Sequence, residues 1–132
     1  MIRIPRSIYQ KMIDHARREA PVECCGILGG KDKTVQKSFE IKNVESSPVQ
    51  FLMDPREQLN VFEEMEETSM DMVAIYHSHP HTIPFPSEMD VQRTFDPEMP
   101  SIIISLKKKD EPMVKAFRIG KEAIDLEEIE LI

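Results

Sequence analysis

The consecutive apolar residues Met72-Val73-Ala74-Ile75-Tyr76, entered through Asp71 and ended by His77, place the tightest constraint on how this chain folds. A run with no polar alternation suits a central strand covered on both faces, so structure must lie on either side of it. It is too short to cross a bilayer, as is Ile102 to Ile104. A length of 132 residues leaves room for one domain with one core.

The flanking segments supply the layers. After a short first strand, Ile8, Tyr9, Met12, Ile13, Ala16 and Ala20 recur at helical spacing, predicting an amphipathic helix over Arg6 to Glu19 between Pro5 and Pro21. Glu23 to Leu28 reads as a small apolar strand turning at Gly29-Gly30-Lys31-Asp32, where the glycines can take positive φ. From Val35 to Val44, Val35, Phe39 and Ile41 alternate with polar residues, the pattern of a half-buried strand. Asp54-Pro55-Arg56-Glu57 opens a second helix running to about Ser69, with Asp54 and Glu57 as a capping pair. A short helix starts at Ser87, and a buried strand follows from Ser101 to Leu106. Met113 to Ile119 and Ala123 to Leu131 complete the set as two strands, the last an acidic edge strand. Helices among mostly hairpin-joined strands predict an α/β (α+β) domain over 1–132, with helices packed on a curved mixed β-sheet.

Composition narrows the function classes. With 24 acidic against 17 basic side chains the formal charge is −7, which repels phosphate backbones and argues against nucleic-acid binding. At 40% hydrophobic and 31% charged residues, the chain is neither disordered nor a membrane bundle. Cys24 and Cys25 are sequence neighbours and cannot form an ordinary disulfide framework, and Met1 to Arg6 lacks the apolar core of a secretory signal. A cytoplasmic location is the expectation.

The chemistry concentrates in His77-Ser78-His79-Pro80, continuing through Ser87 to Asp90. Two apart at the end of a strand, His77 and His79 send both imidazoles to one face while Ser78 points to the other. Two neutral ring nitrogens can chelate a metal, and Asp90 offers an oxygen. Two histidines and one carboxylate leave a tetrahedral position for water, the composition of a catalytic zinc site. Taken alone, Ser87 to Asp90 is a helix start, with Ser87 capping and Asp90 in the first turn. The two readings coexist, because a helix N-terminus can fix Ser87 and project Asp90 toward the strand end. The chance of this His, His, Ser and Asp spacing arising somewhere in such a chain is on the order of 10⁻³. Pro80, Pro84 and Pro86 fix φ between the ligands, or simply stiffen a surface loop.

These residues strongly resemble the hallmark of the JAMM, or MPN-plus, metalloprotease family: His-x-His-Pro, a spacer, then Ser-x-x-Asp, with a separate upstream glutamate. The resemblance makes His77, His79 and Asp90 the Zn2+ ligands and Ser87 the family's serine. It makes Glu23, in Pro-x-Glu-x-Cys-Gly from Pro21, the catalytic glutamate. Gly26, Leu28 and Gly29 sit where the family has a Gly-x-Leu-x-Gly-like strand. It implies a single JAMM/MPN domain of the cytidine-deaminase-like fold, with water activated at zinc, Glu23 as general base and Ser87 donating to the oxyanion. It also implies hydrolysis after the Gly-Gly tail of a ubiquitin-like or sulfur-carrier protein, as in the short prokaryotic stand-alone forms. The stretch after Asp90 looks too short for the second insertion of eukaryotic deubiquitinases, so polyubiquitin-linkage specificity is not expected.

Four rival readings are weaker. A non-catalytic MPN scaffold would not need Glu23, His77, His79, Ser87 and Asp90 intact. A DNA-repair relative of JAMM proteases fits poorly with the acidic balance, and a zinc deaminase lacks its His-x-Glu and Cys-x-x-Cys ligands. A thiol protease would need Cys25 activated near His77, whereas small cysteines in an apolar strand are ordinarily core. His81 reads as an exposed loop residue, His15 as surface, the methionines as core filling, and Lys107-Lys108-Lys109 as a solvated turn.

Overall fold

Pro5 separates the first strand, β1 (Ile2–Ile4), from the first helix, α1 (Arg6–Glu19), in a computed structural model that describes residues 1–132. The helix buries Ile8, Met12, Ile13 and Ala16 along one stripe, and Arg17 and Arg18 in its last turn complement the negative end of its dipole. His15 joins that stripe, against the surface position expected for it. It is 3% exposed, and its Nδ1 lies 2.8 Å from Tyr76 Oη. Its polarity alone predicts a solvent-facing position, but the Tyr76 phenol gives it a buried partner.

Two strands follow, β2 (Cys25–Lys31) and β3 (Thr34–Ile41), joined by a tight turn at Asp32 and Lys33, later than expected because Gly29, Gly30 and Lys31 still pair within the ladder. Positive φ falls on Asp32 and Lys33, and no glycine adopts it. The glycines answer to space instead. A Cβ on Gly30 would sit 1.9 Å from Thr34 O, and one on Gly26 would sit 2.3 Å from the Tyr76 ring.

The second helix, α2 (Pro55–Glu67), is capped by Asp54, whose side chain accepts from the N–H of Arg56 and of Glu57. Glu57 does not return the bond to Asp54. Its carboxylate accepts from Lys42 N at 2.9 Å and ties the helix start to the loop after β3. Thr68 ends the helix, slightly before Ser69, which has φ 55°.

The apolar run forms β4 (Asp71–His79), as its pattern predicts, and the short helix α3 (Glu88–Arg93) follows it. The remaining strands are β5 (Ser101–Ser105), β6 (Met113–Ile119), β7 (Ile124–Glu127) and β8 (Ile129–Leu131). All eight lie in one sheet in the order β7-β6-β5-β4-β2-β3-β1-β8. Pairings are antiparallel except β4 with β5 and β1 with β3 and β8, so the sheet is mixed.

The segment expected as one last strand changes partners at Glu128. β7 pairs with β6 at one edge of the sheet, while β8 pairs with β1 at the other. A single residue joins the two edges, so the sheet curls until they approach each other. Alternation along Ala123 to Leu131 carries no record of which neighbour each half meets.

Pleating sorts the core onto the two faces. On one face Leu28, Ala74, Tyr76, Ile102 and Ile104 pack with Ile8, Met12 and Ala16 of α1. On the other, Cys25, Ile27, Phe39 and Ile41 pack with Val61 and Met65 of α2. Ile103, Phe117 and Ile119 pack with Val91 of α3. No helix is long and apolar enough to cross a membrane.

Candidate metal centre

Strand β4 ends with the parity expected. His77 and His79 turn to one side, and Ser78 turns to the other, where its Oγ accepts from Cys24 N at 2.8 Å. The His77 and His79 Nε2 atoms lie 3.2 Å apart. Asp90 Oδ2 lies 3.2 Å from His77 Nε2 and 3.1 Å from His79 Nε2. All three side chains are at most 6% exposed.

Helix α3 brings Asp90 there through its cap. Ser87 Oγ accepts from Asp90 N, and Asp90 Oδ2 accepts from Ser87 N, so the capping box is complete. The helix start and the ligand group are therefore one structure. Pro80, Pro84 and Pro86 are buried beneath the connecting loop, while His81 is exposed as expected.

His79 Nδ1 donates to Ile83 O at 2.9 Å, which leaves its Nε2 lone pair free. His77 Nδ1 is buried without a partner, and the ring stacks on Phe51 with centroids 4.6 Å apart. Two imidazole nitrogens and a carboxylate oxygen, all buried and mutually within 3.2 Å, form a donor set that fits a tetrahedral cation with an open position.

The electrostatics agree. Burial acts to raise the Asp90 carboxyl, but bonds from both histidines and from Ser87 N overcome it and hold the group well below the carboxylate range. Burial lowers the His77 imidazole against the opposing pull of Asp90. Glu23 stands just before β2, 3% exposed, with Oε1 buried and unpartnered. Burial pushes its carboxyl up to about 8, with the charge of Asp90 adding and His79 opposing. A carboxyl poised there can exchange a proton near neutral pH.

The cysteines do not suit a thiol nucleophile. Cys25 pairs with His77 in register, yet both cysteines are buried, and burial pushes each thiol up to about 12.

Several surrounding residues carry no sequence signal. Asn43 accepts from Glu45 N and Leu52 N, and donates to Glu23 O and Gln50 O, holding the 44–52 loop beside Glu23. A cavity of about 520 Å³ opens beside His77 and Asp90, lined by Phe51, Phe62, Met72, Met89 and Met99 among others. Core filling describes Met12 and Met65, while Met72, Met89 and Met99 line this cavity.

Residues 5–120 match the family model for prokaryotic homologues of the JAB domain. The chain belongs to that family. A CysO-cysteine peptidase of Mycobacterium tuberculosis is 30% identical over 131 residues, covering 98% of this chain and 90% of the relative. A desampylase of Pyrococcus furiosus is 40% identical over 84 residues, 64% of this chain and 60% of its own. Protein DSY2949 from Desulfitobacterium hafniense superposes with TM-score 0.92 at 38% identity, covering 100% of this chain and 93% of the other. This JAB-family member is an enzyme, a peptidase of the JAMM type.

Proposed function

We propose that this chain, one domain over 1–132, is a Zn2+-dependent peptidase cutting the peptide or isopeptide bond after a Gly-Gly tail. The tail belongs to a ubiquitin-like or sulfur-carrier protein. The observation that carries the reading is the convergence of His77 Nε2, His79 Nε2 and Asp90 Oδ2 within 3.2 Å of one another.

Zn2+ held by these three residues would supply Lewis acidity and lower the pKa of a water toward about 7. Glu23 takes a proton from the attacking water at its unpartnered Oε1 and passes it to the departing nitrogen. The water oxygen adds to the carbonyl carbon, the C–N bond breaks, and a free carboxylate and an amine leave. Ser87 Oγ accepts from Asp90 N, so its own hydrogen remains free to donate to the developing oxyanion. A Gly-Gly tail suits a site this buried, because a backbone without side chains can approach closely.

Relatives named CysO-cysteine peptidase, desampylase and TtuB-protein conjugate cleaving protease support a protein conjugate as substrate. The test is intact-mass analysis of Gly-Gly-ending carriers, each extended by further residues, after incubation with zinc-loaded protein. Cleavage directly after Gly-Gly that stops with a chelator and returns with zinc is the expected result. Uncut carriers under all conditions would favour a non-catalytic scaffold.

A further inference from the structure

The two histidines are held in different ways. His79 has the outer hydrogen bond to Ile83 O that ordinarily orients a metal-binding imidazole. His77, 2% exposed, has none, because its Nδ1 meets no partner. Phe51 meets the ring instead, with planes 26° apart and centroids at 4.6 Å. The Phe51 carbonyl accepts from Arg93 Nη1 at 2.7 Å, and the same guanidinium forks onto Glu45 at 2.6 and 3.3 Å. Arg93 lies on α3, three residues after Asp90. One planar cation thus fastens the 44–52 loop to the helix that supplies Asp90.

We propose that Arg93 is a positioning residue for His77, acting through Phe51. The inference rests on the reading of His77, His79 and Asp90 as metal ligands. Arg93 substitutes for the missing outer bond: it fixes the Phe51 backbone, and the Phe51 ring fixes the plane of the imidazole. The Arg93 side chain is 38% exposed, so its ion pair with Glu45 adds little to stability, and its effect is geometric. Lysine at this position keeps the charge but cannot span both Glu45 and the Phe51 carbonyl.

The test uses Co2+ titration of the full chain, competed against a chelator, together with the His77 ring-proton resonances of the metal-free protein. Arg93→Ala and Phe51→Leu should each weaken Co2+ binding about tenfold. The double variant should bind no more weakly than the weaker single one, because both act through one ring. Arg93→Lys should follow Arg93→Ala, and both should move the His77 resonances out of the Phe51 ring-current shift while the thermal midpoint stays put. Unchanged Co2+ affinity and unchanged His77 resonances in the Arg93 variants would overturn the proposal, as would additive losses in the double variant. Wild-type protein that takes up no Co2+ would sink the metal reading itself, and the ring resonances alone would then judge the link from Arg93 to His77.

Discussion

Ser87 and Asp90 bond each other twice: Ser87 N donates to Asp90 Oδ2 at 2.8 Å, and Asp90 N donates to Ser87 Oγ at 3.1 Å. The same Oδ2 lies within 3.2 Å of both imidazoles, so the first turn of α3 and the donor triad are a single hydrogen-bonded unit. Ser87→Ala therefore removes a cap and, on the proposed mechanism, the oxyanion donor as well. We expect a stability loss of about 1 kcal/mol in denaturant melts. We also expect kcat to fall about 100-fold with little change in KM. A variant with intact kcat would remove Ser87 from the chemistry.

Thiol reagents and chelators should act in opposite ways. With both cysteines buried and their thiols near 12, iodoacetamide should leave cleavage of an extended carrier intact, whereas EDTA should abolish it. Loss of activity on alkylation, with no response to EDTA, would reinstate the cysteine reading.

His15 should make the fold acid-sensitive. Burial lowers its imidazole below the ordinary 6.5, Glu40 opposes that shift and Arg18 adds to it. The folded protein then resists a proton that the unfolded chain accepts, so the stability from neutral His15 is complete above pH 6.5 and drains as pH falls below it. His15→Gln keeps a partner for Tyr76 Oη without titrating. Its stability should fall less steeply over that range, by at most about 1.4 kcal/mol per pH unit. Parallel pH profiles would contradict this account.

Much of this arrangement was legible in residue patterns. The unbroken apolar run of β4 announced a strand with cover on both faces, and strict alternation placed His77 and His79 on one side. Capping chemistry located the start of α3, and with it Ser87 and Asp90. What escaped depends on distant partners. His15 looks like any polar helix residue until Tyr76 arrives from β4, 61 positions away. Residues Ala123 to Leu131 alternate smoothly although their neighbours change at Glu128. Phe51 and Arg93 sit in a loop and a short helix with no periodic pattern, so only the folded chain brings them to His77.

Zinc stoichiometry across three proteins tests the central claim most directly: the wild type, Asp90→Ala and Glu23→Gln, each supplemented with Zn2+, desalted and subjected to elemental analysis. One bound zinc per chain is predicted for the wild type and for Glu23→Gln, and none for Asp90→Ala, with Glu23→Gln losing about 100-fold or more in turnover. Equal zinc in all three proteins, or none in any, would contradict it.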